Sequence, residues 1–237
     1  MSYLSKLLKS LKEIIVVTIL QYGGMYALIL IYYLITHATL EEIENFVINY
    51  ACNILLIFDI FVIIYLVKKN KRKEPSVPLP NYLPLILVGI FFATFLNMLI
   101  FRFIPDDSVV VLPLAFSFIA TNIVGPIFEE VLFRYVFFNK LLTFNSKKAT
   151  VLINCIAFSL IHDDLTHMFY AFLLGLIINY VYLKYKNIIA CIVVHISANT
   201  IVSFLFGFNV YMLIVSFIGL ILSLFLLYKD KINFVGV

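Results

Sequence analysis

The feature that most constrains this chain is a series of long apolar runs, the first of which covers residues 14–36. A helix of about 20 apolar residues crosses the hydrocarbon core of a bilayer. The apolar residues follow one another rather than alternating with polar ones, so the runs predict helices and not barrel strands. Only 13% of the residues are charged, against about 25% in an average soluble domain. This excludes a soluble enzyme, a disordered tail and a coiled coil.

The predicted fold is therefore an all-α, polytopic membrane bundle, and residues 1–237 are expected to form a single integral membrane domain. Eight spans are expected, at about 14–36, 46–67, 82–104, 109–139, 149–162, 167–185, 188–206 and 209–228. With this count, 15 of the 17 basic residues fall on one side of the membrane and seven acidic residues fall on the other. The positive-inside rule then predicts a multi-pass protein of the plasma membrane with both termini in the cytoplasm.

Ionisable side chains within a span are costly and usually mark function. Most of those in this chain fall into three short patterns, and in each of them two side chains are four residues apart on one helix face. The patterns are Glu129-Glu130-Val-Leu-Phe-Arg134, Phe158-Ser-Leu-Ile-His162 and His195-Ile-Ser-Ala-Asn199. Counted from the flanking lysines at 1.5 Å per residue, Glu130, His162 and His195 lie about 15, 21 and 14 Å deep. A polar catalytic cavity near the middle of the membrane is therefore expected.

The residue types in these patterns suit the hydrolysis of a peptide bond. Two adjacent glutamates in a low dielectric do not both ionise cheaply, so they form a candidate general acid and general base. Arg134 is expected to hold one carboxylate ionised, and Pro126 is expected to loosen the helix just before the glutamates. His162 would position a water, while His195 and Asn199 would donate hydrogen bonds to an oxyanion. A divalent metal such as Zn²⁺, held by Glu129, His162 and His195, stays an alternative, although the HExxH motif is absent.

The three patterns EExxxR, FxxxH and HxxxN, in this order and on hydrophobic spans, resemble those of the CAAX-protease and bacteriocin-processing family, called CPBP or Abi. This family of intramembrane endopeptidases includes the type II CAAX prenyl proteases. The resemblance covers about residues 113–205. It implies that Glu129 and Glu130 activate the nucleophilic water with help from His162, and that His195 and Asn199 form the oxyanion site. The family has been called both glutamic and metallo-type, and a glutamate-activated water without an obligate metal is the preferred mechanism.

The resemblance also bears on the substrate. Many family members have glycine after the motif arginine, where this chain has Tyr135, and this difference affects the expected shape of the cavity mouth. Family members in bacteria are associated with bacteriocin maturation, self-immunity and the processing of signalling peptides. The expected partners are a peptide or membrane-protein substrate and the lipid bilayer, and no nucleic acid is expected.

Two weaker hypotheses remain beside the protease. Asp59 is also within a span, and we expect it to line the cavity or to bond a Ser or Asn of a neighbouring span, most simply in a structural role. The alternative for the whole chain is a non-catalytic membrane protein, either an immunity factor or scaffold or a proton-coupled transporter that uses Glu129 and Glu130 as a relay. A transporter is expected to contain an inverted repeat, and none is evident in the sequence.

Overall fold

The computed structural model describes residues 2–47, 50, 52–71, 80–104, 118–162 and 164–230, and this part of the chain contains helices and no strand. The all-α prediction is therefore confirmed. The helices are α1 (Tyr3–Thr36), α2 (Leu40–Phe46), α3 (Cys52–Lys69), α4 (Tyr82–Phe103), α5 (Gly125–Glu130), α6 (Asn139–Leu141), α7 (Lys147–Ser159), α8 (Leu165–Tyr185), α9 (Ile188–Val202) and α10 (Val210–Lys229). Two further segments, Ala120–Val124 and Val131–Phe138, are π-helical.

Short polar residues begin many of these helices because their side chains accept a hydrogen bond from a backbone N–H of the first turn. The N-caps of this kind are Ser2, Thr39, Asn81, Asp164, Asn187 and Asn209. At Asp164, the donor is the backbone N–H of His167, at 2.9 Å. This bond holds the pKa of the Asp164 carboxyl below its usual range. Because Asp164 caps the start of α8, the preceding helix must end before this residue.

In the part of the chain that the structure describes, four helices are long and apolar enough to cross a membrane, namely α1, α4, α8 and α10. They correspond to the first, third, sixth and eighth predicted spans. The fifth and seventh spans correspond to the shorter helices α7 and α9, which have 13 and 15 residues. Part of the second span and residues 109–117 of the fourth lie outside the described residues, as do residues 72–79 between the second and third spans. The count of eight spans stays a prediction.

The chain divides into two compact units. Unit 1 contains Met1–Lys71 and Pro113–Ser146, and unit 2 contains Arg72–Leu112 and Lys147–Val237. In unit 1, Glu13 near the start of α1 forms ion pairs with Lys69 at the end of α3 and with Lys140 of α6. The start of α1 therefore lies beside the end of α3 and beside α6. A second contact, from Gln21 of α1 to Asp59 of α3, shows that α3 runs antiparallel to α1.

In unit 2, the C-terminal ends of α8 and α10 lie together. The Lys184 ammonium donates to the backbone carbonyls of Leu227 and Tyr228, and the Tyr185 hydroxyl donates to Asp230 at 2.6 Å. The Arg102 guanidinium, at the end of α4, stacks on Phe208, which precedes α10. Within unit 2, Lys184 and Arg102 thus lie at opposite ends of α10.

Candidate functional site

The paired glutamates lie on an unusual helix in unit 1, which we call the composite helix. It consists of Ala120–Val124, α5, Val131–Phe138 and α6, and its first and third segments are π-helical. The N–H of Gly125 donates to the carbonyl of Ala120, five residues earlier. Pro126 has no N–H with which to continue the ordinary pattern. The predicted loosening before the glutamates is therefore present, and single π turns of this kind are frequent at functional sites.

The EExxxR pattern brings a carboxylate and a guanidinium together, as its spacing predicts. Arg134 Nη1 donates to Glu130 Oε1 at 3.0 Å, and both side chains are fully buried. Glu129, the preceding residue, is only partly buried. The guanidinium therefore neutralises and orients Glu130 in a dry environment, where such a pair is maintained only with good geometry and further hydrogen bonds. The neighbouring Glu129 is the more accessible carboxyl of the two.

The second π segment continues past Arg134 to Phe138 and is followed by Asn139. No role was predicted for Asn139 from the sequence. The side-chain amide of Asn139 donates to the carbonyls of Arg134 and Tyr135, both at 3.0 Å. In a π-helical turn these carbonyls are displaced from the regular α-helical pattern, and the amide satisfies them. Tyr135 itself is buried. One indication of this role was present in the sequence, because Asn139 is a polar residue at the end of an apolar span.

Asp59 also belongs to this part of unit 1. The Gln21 amide on α1 donates to Asp59 Oδ1 on α3 at 2.6 Å, and Asp59 interacts electrostatically with Glu129. The expected hydrogen bond to a neighbouring span is present. Its donor, however, is a glutamine and not the predicted Ser or Asn. Asp59 therefore links α1 to α3 close to the paired glutamates.

The two histidines lie in unit 2, on either side of one phenylalanine. The fully buried Phe158 ring is 5.3 Å from the His162 ring and 5.8 Å from the His195 ring, both edge-on. The predicted proximity of Phe158 to His162 is thus present. One detail of the prediction was wrong, because His162 is not within a helix. The helix α7 ends at Ser159, and the His162 N–H donates to the Ser159 carbonyl in the turn that follows.

The orientation of the His162 ring follows from its hydrogen bond. Nδ1 lies 3.0 Å from the carbonyl oxygen of Phe158. Because a carbonyl oxygen only accepts, this bond requires a proton on Nδ1, and the neutral ring then has its lone pair on Nε2. The His162 ring is half-buried. Its Nε2 is thus suited to accept a hydrogen bond from a water molecule.

The third pattern, HxxxN, lies on α9. His195 is buried, with 3% of its surface exposed, and Asn199 is one turn further along and partly exposed. The backbone of α9 packs closely on α4 here. A Cβ atom added to Gly89 of α4 would lie only 2.4 Å from the carbonyl oxygen of Val194, the residue before His195. The sequence analysis missed Gly89, which sets the separation of the two helices beside His195.

Two cysteines of unit 2 are buried among the helices, and each has a polar contact. Cys155 and Cys191 are both fully buried. The Asn179 amide of α8 donates to the Cys155 sulfur of α7 at 3.2 Å. This contact joins α7 to α8 four residues before the end of α7.

The motif residues are divided between the two units. Unit 1 contains Glu129, Glu130 and Arg134, and unit 2 contains Phe158, His162, His195 and Asn199.

Residues 111–201 match the family model of the Rce1-like proteins, described as type II CAAX prenyl endopeptidase Rce1-like. This segment contains the three motifs and nearly coincides with the expected residues 113–205. Over this segment, which is less than half of its length, the chain is therefore similar to the type II CAAX prenyl endopeptidases. Together with its apolar helices, this similarity supports a multi-pass membrane protein. No solved structure matches it.

Two curated proteins are similar to this chain. The UPF0177 protein YbdI of Lactococcus lactis is 27% identical, and the match covers 63% of this chain and 91% of the relative. YdiL of Bacillus subtilis, provisionally named a membrane peptidase, is 33% identical over 35% of this chain and 34% of its own length. The YbdI match extends well beyond the motif segment, whereas the YdiL match is shorter.

Proposed function

We propose that this chain is an intramembrane endopeptidase that hydrolyses a peptide bond with a glutamate-activated water. Its substrate would be a peptide or a membrane-associated precursor. The observation that carries the proposal is the buried Glu130–Arg134 ion pair beside Glu129, on a helix with π turns on both sides. Arginine stays charged in any protein environment, so it keeps one carboxylate ionised. Irregular backbone at membrane depth is tolerated where it lines a polar cavity, through which water would reach the glutamates.

The proposed reaction assigns a role to each motif. An ionised carboxylate of the glutamate pair takes a proton from water, and the water oxygen forms a bond with the peptide carbonyl carbon. His162 positions that water through Nε2, since its Nδ1 proton is engaged by the Phe158 carbonyl. His195 and Asn199 donate hydrogen bonds to the oxyanion. The C–N bond then breaks, and a carboxyl proton passes to the leaving nitrogen.

A metal-dependent version of the reaction is the alternative catalytic type. A divalent metal would activate the water as a Lewis acid, with Glu129, His162 and His195 as its ligands. Across the described ranges, no group of three His, Cys, Asp or Glu side chains is placed to hold a metal ion. The preferred steps use protein side chains alone, and inhibition by a chelator tests them.

The biological role follows the family resemblance. We propose that the substrate is a bacteriocin precursor, a signal peptide or a peptide against which the cell protects itself. The motifs contain nothing that selects a prenyl group, so prenylated and unprenylated substrates are both candidates. Two quenched fluorogenic peptides of one sequence, with and without a farnesylated cysteine, distinguish them. Selective cleavage of the farnesylated peptide would contradict a bacteriocin-like substrate.

The test of catalysis uses the full chain in proteoliposomes with these two peptides and with precursor peptides encoded by neighbouring genes. We expect Glu129→Gln, His162→Ala and His195→Ala each to lower the cleavage rate at least 100-fold, since each removes a group that acts on the reacting atoms. The matched control is Glu44→Gln, which removes an exposed glutamate from α2 and should cleave at the wild-type rate. Circular dichroism checks that all four variants keep their helices.

Three outcomes would contradict the proposal. Wild-type cleavage by Glu129→Gln would remove the glutamate from the mechanism. Complete inhibition by a chelator, reversed by Zn²⁺, would replace the metal-free reaction by the metallo-type one. A folded chain that cleaves none of the peptides, while variants of all three motifs still confer a wild-type immunity phenotype on cells, would support the non-catalytic alternative.

A further inference from the structure

One end of unit 1 carries a concentration of lysines, which we call the lysine face. Its members are Lys6, Lys9 and Lys12 of α1, Lys68 and Lys69 of α3, Lys71 just after α3, and Lys140 of α6. The ion pairs from Glu13 to Lys69 and to Lys140 bring these three helices together, so the lysines belong to one surface. Within the described part of unit 1, Glu13 is the acidic residue at this end. The acidic residues of α2 follow the opposite end of α1.

The length of α1 locates this face relative to a bilayer. A helix of 34 residues is about 51 Å long, while the hydrocarbon core is about 30 Å thick and the bilayer with its headgroups about 40–45 Å. An α1 that crosses the membrane therefore extends through the headgroup layer. Its first turns, which carry Lys6, Lys9 and Lys12, then lie at the level of the lipid phosphates.

The side chains of these turns suit an interface between water and lipid. Lys6, Lys9 and Lys12 are exposed. The apolar side chains of Leu4, which precedes these lysines, and of Leu8, which lies between Lys6 and Lys9, are also exposed, by 62% and 54%. Exposed leucines of this kind enter the acyl boundary, while the lysine ammonium groups extend to the headgroups. A soluble polyanion would not bury the leucines, so the pattern favours lipid.

We propose that the lysine face binds the phosphates of anionic phospholipid headgroups. Glu13 holds the Lys69 and Lys140 ammonium groups in place, so part of the surface is fixed before lipid binds. Each lysine near an anionic surface contributes about a fivefold preference. Lys140 is six residues beyond Arg134 on the composite helix, and the bound lipid would therefore contact the helix that carries the paired glutamates. This inference is independent of the proposed catalytic activity.

The experiment measures which lipids surround the start of α1. The chain contains no tryptophan, so Leu8→Trp introduces a single fluorescent reporter between the lysines. The full chain is reconstituted in phosphatidylcholine vesicles with 30% phosphatidylglycerol, and either lipid is brominated to quench the reporter. We expect brominated phosphatidylglycerol to quench more strongly, with a relative binding constant of about five or more at low salt. At 1 M salt, where the screening length is about 3 Å, the preference should fall close to one.

Two charge variants localise the effect. Lys9→Gln with Lys12→Gln should lower the preference at least fivefold, since both lysines lie next to the reporter. Glu41→Gln with Glu44→Gln, which removes two exposed charges near the opposite end of α1, should leave it unchanged. Equal quenching by the two lipids in the wild-type background would overturn the proposal. An equal effect of the two double variants would also overturn it. Complete displacement of the lipid by millimolar glycerol phosphate would overturn it too, because it would identify a site for a soluble phosphate.

Discussion

Replacement of Gly89 by alanine tests the packing of α4 against the helix that carries His195. The added Cβ would lie 2.4 Å from the Val194 carbonyl oxygen, 2.9 Å from Ser197 Cβ and 3.2 Å from the backbone nitrogen of Ala198. None of these atoms can rotate away, so the two helices must separate by about 1 Å to restore ordinary contact. Such overpacking costs about 1–3 kcal/mol. The separation also moves His195, because it directly follows Val194.

The matched control is Gly24→Ala, which adds the same methyl group in the interior of α1, where a Cβ meets no atom within 4 Å. Alanine is about 0.5–1 kcal/mol more favourable than glycine inside a helix. Gly24→Ala should therefore be neutral or stabilising, whereas Gly89→Ala should lower the free energy of unfolding by about 1–3 kcal/mol. Unfolding is followed by circular dichroism during denaturant titration of the detergent-solubilised protein. The cleavage rate of Gly89→Ala should also fall.

A third variant separates a rigid obstacle from a flexible one. A Cβ on Gly219 of α10 would lie 2.6 Å from the ring of Phe91, and this ring can rotate whereas a backbone carbonyl cannot. We expect Gly219→Ala to be less destabilising than Gly89→Ala. If Gly89→Ala proves as stable as Gly24→Ala and cleaves at the wild-type rate, then α4 and α9 do not pack as closely as described, and the positioning role of Gly89 is wrong.

Three further predictions concern polar contacts inside the membrane. Arg134→Met should lower the free energy of unfolding by about 3–5 kcal/mol because it removes the guanidinium from buried Glu130. The second substitution Glu130→Gln should restore part of this stability, and a thermal melt without any recovery would contradict the ion pair. Gln21→Leu should lower the free energy of unfolding by about 0.6–2 kcal/mol because the hydrogen bond to Asp59 is lost. An unchanged midpoint in a denaturant titration would refute the stabilising role of this bond. Cys155, as the sole cysteine, should react with a maleimide only after unfolding, and rapid labelling of the folded chain would contradict its burial.

The contacts that were predictable from the sequence are those between residues of one helix turn. Glu130 and Arg134 are four residues apart, and this spacing alone brings them to one face. Proline chemistry likewise predicts the disturbance before the glutamates. The second π segment, after the glutamates, was not predictable in this way. The choice between α and π turns there depends on tertiary contacts and on the two hydrogen bonds from Asn139.

The position of His162 shows how a neighbouring element changes a local prediction. The residues from Phe158 to His162 are mostly apolar, and so the fifth span was expected to continue to residue 162. The structure ends α7 at Ser159 because Asp164 has an extended backbone, with φ −131° and ψ 159°, as the N-cap of α8. The chain must turn between these two residues. The contact between the Phe158 and His162 rings is nevertheless kept, since the turn also places their centroids 5.3 Å apart.

Contacts between helices were beyond the reach of spacing arguments, because they depend on the register of two elements. Gln21 and Asp59 are 38 residues apart, and the prediction named Ser or Asn, not glutamine, as the partner of Asp59. A buried carboxyl nevertheless requires a hydrogen-bond partner in a medium without water. That requirement, applied to Asp59, limits the donors to the few polar side chains of the neighbouring spans. Gln21 is eight residues beyond Glu13, and Asp59 is ten residues before Lys69. The Glu13–Lys69 ion pair and the antiparallel direction of α1 and α3 would thus have been enough to select it.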